Sequence, residues 1–295
     1  MNRLISTIQG VPAMLTVALT AFAANSIFCR LALEEPSIDA ASFTVLRLLS
    51  GAVSLAILCR LVDKSWRPSR PEMLPVSALF VYMVCFSFAY IKLSAGTGAL
   101  LLFGFVQLTM LSVALAQGKR MSLIGWLGLF TAMSGLAYLV SPGISAPDPL
   151  YAGLMAVAGV AWGAYSLFGS SVSNATSSTT SNFVYASVLG LILSLFTYES
   201  SYLSLRGVGL ALASGIFASG LGYAIWYRVL PRIPVTSAAT LQLSVPALAA
   251  LGGTIFIGEP LSLRLLISVL LIIGGIALVI HQNRSVSAKL TDRRR

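Results

Sequence analysis

The chain has 295 residues, 57% of them hydrophobic and only 9% charged, with a net charge of +10. A soluble domain carries roughly 25% charged residues, and a soluble fold of this length could not cover its surface with so few. The apolar runs are continuous, whereas the strands of a membrane barrel alternate, so the fold class is all-α, a polytopic membrane protein.

Runs of about 20 apolar residues cross a hydrocarbon core, and they predict ten transmembrane helices. In the first half these lie at about 11–33, 40–60, 75–91, 96–116 and 121–140. In the second they lie at about 151–171, 181–198, 207–229, 235–257 and 263–281. Arg3, an apolar run and Ala21-Phe22-Ala23 have the form of a signal peptide with its cleavage site. The run continues past Ala23 to Cys29, too long for such a core, so it is read as the first span. A stretch rich in helix breakers, from Ser141-Pro142-Gly143 to Pro147-Asp148-Pro149, separates the halves. The division is a first five-helix repeat at 1–140, an outer linker at 141–150, a second repeat at 151–281 and a mobile basic cytoplasmic tail at 282–295. Cys29, Cys59 and Cys85 fall within apolar runs without metal-ligand spacing and read as small buried hydrophobes.

The halves are copies of one another. Gly118-Lys119-Arg120-Met121-Ser122-Leu123 is echoed 140 positions later by Gly258-Glu259-Pro260-Leu261-Ser262-Leu263, and Gly135-Leu136-Ala137 by Gly275-Ile276-Ala277. At an offset of 137, Phe86 and Tyr90 match Tyr223 and Tyr227, and Ala24-Asn25-Ser26 falls opposite Ala161-Trp162-Gly163. Five spans per copy is an odd number, so the second copy crosses the membrane inverted. The charges agree: with the N-terminus inside, fourteen Lys and Arg fall in inner segments and four in outer ones, Arg47 lying within a span. The positive charge is therefore cytoplasmic loop charge and not a nucleic-acid surface, and both termini are cytoplasmic. Inverted repeats are typical of secondary transporters, whose substrate binds near the midplane between the halves.

Ala238-Ala239, Val245-Pro246, the Gly258-Glu259-Pro260-Leu261-Ser262 loop and Gly274-Gly275 resemble the second repeat of the drug/metabolite transporter superfamily, EamA type. The resemblance spans essentially the whole chain. The first copy departs from it, with Lys119-Arg120 in place of Glu-Pro and Val106-Gln107 where the second copy has Pro246-Ala247. In overall character the chain is most similar to the YddG-type exporters of aromatic and other neutral amino acids. The resemblance implies an exporter in a bacterial inner membrane working by alternating access. Its partners would be the lipid bilayer and a small-molecule substrate such as an amino acid, with the monomer the favoured state.

No carboxylate lies well inside a predicted span, which points to facilitated export of a neutral or zwitterionic solute and not to an acidic proton relay. Nor does any span hold a His–carboxylate cluster, a Cys/His pair or a metal-ligand group, so neither an enzyme nor a cofactor is expected. Export of drugs or another metabolite is the alternative within transporters; a receptor or intramembrane enzyme is the alternative outside them. Tyr82 and Phe86 share one face of the third span. Their counterparts Tyr223 and Trp226 lie on the eighth, and Trp162, Tyr165 and Ser166 form a patch on the sixth. With Phe103, Gln107 and Gln242 these residues are candidates for an aromatic substrate cavity carrying a few amides and hydroxyls. Pro246 interrupts the ninth helix and Gly104 lies in the matching span; both are candidate gating positions. A central Arg costs about 2.5–3.5 kcal/mol in a membrane unless it finds a partner or water. Arg47 is thus either a substrate-carboxylate anchor or a structural Arg bonded to helix-end carbonyls or snorkelling outward.

Overall fold

The computed structural model describes the chain apart from residues 1, 35–36, 63, 65, 119–120, 144–145, 170–171, 173, 230–231, 233–240 and 293–295, and apart from the side chains of residues 2–9 and 280–292. Ten helices make up the fold of the described residues. The first five are α1 (Asn2–Leu33), α2 (Ala40–Val62), α3 (Met73–Ala89), α4 (Ala95–Ala116) and α5 (Leu123–Val140). The second five are α6 (Pro149–Gly169), α7 (Ala175–Phe196), α8 (Leu205–Val229), α9 (Ser244–Ile257) and α10 (Leu263–Asp292). Seven are long and apolar enough to cross a membrane; α3, α9 and the Leu263–Val279 part of α10 are apolar but shorter. The expected start of the ninth span, 235–240, lies outside the described residues, as do Lys119 and Arg120.

The tail expected to be mobile from residue 282 instead continues α10 as helix to Asp292. Its sequence has neither Gly nor Pro beyond Gly275, so nothing in it stops the helix.

The repeat motif has the same backbone in both copies. Gly118 ends α4 at φ 81° and Gly258 ends α9 at φ 79°, the left-handed conformation that closes a helix and that only glycine adopts without strain. Four residues later a serine restarts the chain: Ser122 Oγ accepts from Gly125 N at 3.4 Å, and Ser262 Oγ accepts from Leu265 N at 3.1 Å. Each caps the helix that follows, α5 and α10, by satisfying an otherwise unpaired donor.

Packing shows that the copies are inverted. The start of α4 lies beside the second half of α9: a Cβ on Gly96 would meet the Ala250 side chain, and Glu259 Oε2 accepts from Ala95 N at 2.8 Å. The Gly258 loop therefore sits at the N-terminal end of α4, whereas the Gly118 loop follows its C-terminal end. With 22 residues in α4, that is about 33 Å away. α5 and α10 cross antiparallel through Gly128, Gly135 and Gly275, each packed directly on the partner helix.

One end of the bundle collects Glu34, Asp39, Asp148, Glu199 and Glu259 beside Arg30, Lys92, Arg206 and Arg264; the other collects Arg60, Lys64, Arg67, Arg70, Arg228 and Arg232 beside Glu72. We refer to them as the acidic and basic ends. At the acidic end Asp39 N donates to Tyr202 O at 3.2 Å, Tyr202 N donates to Asp39 Oδ2 at 3.1 Å and Ser204 N donates to Ser37 O at 2.7 Å, tying the α1–α2 loop to the α7–α8 loop. Arg264 donates to the carbonyls of Ser141 and Pro142. At the basic end Trp66 Nε1 donates to Ser177 Oγ at 2.6 Å, and Tyr185 OH donates to Ser69 O at 2.8 Å.

Candidate functional site

A small cavity lies between the halves. It is lined by Phe22, Asn25 and Ser26 of α1, Tyr82 and Phe86 of α3, Leu102 and Phe103 of α4, Trp162 of α6, and Ala218 and Tyr223 of α8. Its volume of about 20 Å³ is room for a water and not for a metabolite. The walls are a stack of aromatic rings. Tyr82 and Trp162 centroids are 4.8 Å apart, Trp162 and Tyr223 5.0 Å, and Phe22 meets Tyr223 edge-on at 5.7 Å. Such ring pairs add to burial and fix one another's rotamers. The polar atoms are few: Asn25 Oδ1 accepts from Ser214 Oγ at 2.6 Å, and Ser26 is almost fully buried.

Arg47 stands behind this wall. It is fully buried; Nε donates to Ser219 Oγ at 3.1 Å, Nη2 donates to Tyr82 OH at 3.1 Å, and Nη1 has no partner. The guanidinium carbon sits 5.5 Å from the Tyr82 ring centre and 4.8 Å from that of Phe86. Its position is set by α8, which passes through a π-helical stretch at Ser214–Leu221. A π stretch inserts extra backbone into a helix and recurs at functional sites. Here Gly215 is pressed against the Arg47 backbone and the Ser50 hydroxyl, and Gly220 against the Ser54 hydroxyl, leaving no space for a Cβ at either position. Ser219 is thereby brought within bonding distance of Arg47.

The predicted residues fall into three groups. Tyr82, Phe86, Phe103, Trp162 and Tyr223 line the cavity, and Arg47 adjoins it through Tyr82 and Phe86. Tyr165 faces a second cavity at the basic end, with Glu72, Ser178, Thr179 and Asn182 on its walls. Because Tyr165 stacks on Trp162 at 5.6 Å, these two rings partition the cavities. Trp226 packs behind Phe22 at 5.8 Å, and Ser166 Oγ is spent on the Trp162 carbonyl of its own helix. Gln107 keeps a buried Nε2 without a partner. Gln242 is half-buried near the basic end and lines neither cavity.

Leu241 and Gln242 are helical, the helix breaks at Leu243 and resumes as α9 at Ser244, so the ninth span is interrupted just before Pro246, whose ring and missing N–H disfavour a continuous helix there. Gly104 faces the Leu136 side chain, and a Cβ there would come within 2.9 Å of it, which is the role of a packing glycine. The sequence also left out Phe22, Asn25, Ser26, Leu102 and Ala218. One signal for Asn25 was present: it aligns with Trp162 at the 137 offset, and both line the cavity.

The acidic end above the cavity is closed by a four-way junction. Arg30 Nε donates to Glu259 Oε1 at 3.1 Å, Nη1 donates to the carbonyls of Tyr90 and Ile91, and Nη2 donates to Glu34 Oε1 at 3.0 Å. Glu259 in turn holds the Ala95 N–H at the start of α4. Burial pushes the Glu259 carboxyl above the ordinary carboxylate value, outweighing the Ala95 N–H and Arg30, which pull it down.

Ten apolar helices, inverted halves and a buried aromatic cavity between them make a multi-pass membrane protein, and inverted repeats of this kind are typical of secondary transporters. The second half of the chain, residues 150–281, matches the model of the EamA-like transporter family, so the chain carries that family's domain. It is 46% identical over 268 residues to an uncharacterized protein of Pseudomonas aeruginosa, covering 90% of this chain and 93% of that one. An uncharacterized transporter of Archaeoglobus fulgidus is 26% identical over 71% of this chain and 76% of its own length. The uncharacterized transporter YwfM of Bacillus subtilis is 26% identical over 52% of this chain and 53% of its own. A solved crystal structure at 17% identity superposes with a TM-score of 0.66, covering 92% of this chain and 97% of the other, and shares the fold.

Proposed function

We propose that the protein exports small neutral or zwitterionic metabolites, aromatic and other neutral amino acids foremost, by alternating access between its inverted halves. The single observation that carries this reading is the cavity between the halves, walled by Tyr82, Phe86, Trp162 and Tyr223 with Asn25 and Ser26 as its polar lining. Aromatic walls suit an apolar side chain, and a few amides and hydroxyls suit a polar head group. In this reading the basic end is cytoplasmic, by the distribution of Lys and Arg, and the membrane is the bacterial inner membrane. The closed Arg30–Glu259 junction then makes this a state shut toward the outside, with the Tyr165–Trp162 partition the barrier to open from within. Counterflow of labelled aromatic and aliphatic amino acids in proteoliposomes of the purified protein is the test. Accelerated exchange of at least one is expected; exchange of none, with another solute class carried, overturns the amino-acid assignment.

A further inference from the structure

Arg47 satisfies neither form of a structural arginine. It bonds no backbone carbonyl, the acceptors being the hydroxyls of Ser219 and Tyr82, and it is fully buried, so it does not snorkel. The titratable side chains around it, Tyr82, Tyr223 and Cys29, are phenols and a thiol and bring no formal negative charge. No carboxylate among the described residues reaches it; the ion pairs formed there are those of Arg30 with Glu34 and Glu259. Arginine does not shed its proton in proteins. A full charge therefore stands in the low-dielectric middle of the bundle with Nη1 unpaired, offset by two neutral hydroxyls and the faces of Tyr82 and Phe86.

The geometry points to Arg47 as the site of the solute's anionic group: the carried molecule bears a carboxylate that pairs with this guanidinium. This rests on the transport reading above and narrows it to acids and zwitterions. The guanidinium fork matches a carboxylate in two parallel bonds. Ser219 on Nε and Tyr82 on Nη2 hold the fork in plane and leave Nη1 available. Tyr82 and Phe86 stand both over Arg47 and on the cavity wall, so these two rings are what separates the guanidinium from the cavity. With either ring displaced, an occupant reaches Arg47 with its carboxylate and Trp162 and Tyr223 with its apolar body. A cation without a carboxylate meets an uncompensated positive charge at the same place, which excludes it.

The test uses solute pairs that differ only in the carboxylate, in counterflow with purified protein: L-phenylalanine against L-phenylalaninamide and L-leucine against L-leucinamide. 3-Phenylpropionate, which keeps the carboxylate and lacks the ammonium, forms a third arm. The acids are expected to exchange at least tenfold faster than their amides, and Arg47→Gln to erase that preference. The comparison within the wild type stands if Arg47→Gln does not fold, and Arg47→Lys, which keeps the charge without the fork, is expected to fall between. Amides carried as fast as the acids overturn the assignment while leaving a transporter in place. Arg47-dependent exchange of 3-phenylpropionate with no amino acid carried sustains it and overturns the amino-acid reading. No exchange of any acid overturns both. Replacing chloride by methanesulfonate is expected to leave the rates unchanged; loss of transport there makes the partner of Arg47 a resident chloride and overturns the inference.

Discussion

Phe86 of α3 and Tyr223 of α8 stand 137 residues apart, at equivalent positions of the two halves, and line one cavity. Asn25 and Trp162 repeat the relationship. A chamber walled by equivalent positions of inverted halves has a pseudo-two-fold axis through it, so a wall residue near one mouth has a counterpart near the other. Losing a buried aromatic side chain forfeits about 1.5–3 kcal/mol of apolar contact, which is about 10–100-fold in affinity. Phe86→Ala and Tyr223→Ala are each expected to weaken transport by about that factor in counterflow at low solute concentration. Trp226→Ala, whose ring packs behind Phe22, is expected to lower the melting temperature more than it lowers transport. Equal loss in all three would mean that the cavity wall has no special part.

The Arg30–Glu259 junction gives a pH signature. Both side chains are nearly buried, at 13% and 10% exposed, and burial raises the Glu259 pKa. A carboxyl whose pKa is higher in the folded than in the unfolded state contributes stability at low pH, and that contribution is lost as pH rises through the folded pKa. The wild-type melting temperature is therefore expected to fall relative to Glu259→Gln as pH climbs through and just above the ordinary carboxylate range. Arg30→Ala leaves the Glu259 charge half-paired at the start of α4 and is expected to cost about 3–5 kcal/mol, more than Glu259→Gln. Parallel melting curves of wild type and Glu259→Gln at all pH values would remove Glu259 titration from the account.

How far the sequence reached depended on what each signal encodes. Helix number and order followed from apolar length, which the bilayer sets directly. The Gly118–Ser122 and Gly258–Ser262 motifs were readable because a left-handed glycine and a capping serine are local requirements. Tyr82, Phe86 and Trp162 were found because large aromatics on one helix face leave a periodic trace. Asn25, Ser26 and Ala218 leave none: small or single polar residues line a cavity only because other helices arrive beside them. Pro246 left a readable trace because its ring and missing N–H act locally, and the helix breaks at Leu243 just before it. The π stretch at Ser214–Leu221 has no composition of its own that marks it, and the packing of its Gly215 and Gly220 on α2 is visible only in three dimensions.

Neighbouring glycines in α10 make a controlled comparison. A Cβ on Gly275 would lie 2.5 Å from the Gly128 carbonyl oxygen and from the Ala132 nitrogen, both backbone atoms that cannot step aside. A Cβ on Gly274 would meet nothing within 4 Å. Gly275→Ala is expected to destabilise by about 1–3 kcal/mol through forced separation of α5 and α10. Gly274→Ala is expected to be neutral or to gain up to about 1 kcal/mol from helix propensity. Thermal melts in one detergent decide it, and the reverse order would mean that the two helices do not touch as described.

The inversion itself can be tested from the two capping serines. Ser122 and Ser262 do the same local job, but Ser122 follows the C-terminal end of α4, whereas Ser262 lies in the loop bonded to its N-terminal end. If the bundle spans a bilayer, these two ends lie on opposite faces. Cys29 and Cys59 are buried and Cys85 half-buried, so a background with all three replaced by alanine removes competing thiols at small packing cost. In that background Ser262→Cys is expected to react with a membrane-impermeant maleimide on intact cells. Ser122→Cys is expected to react only after permeabilisation if, as proposed, the Lys-rich and Arg-rich end is cytoplasmic. Labelling of both from the same side would mean that the repeats run parallel, and a chamber opened in turn by mirror-related motions of the two halves would lose its structural basis.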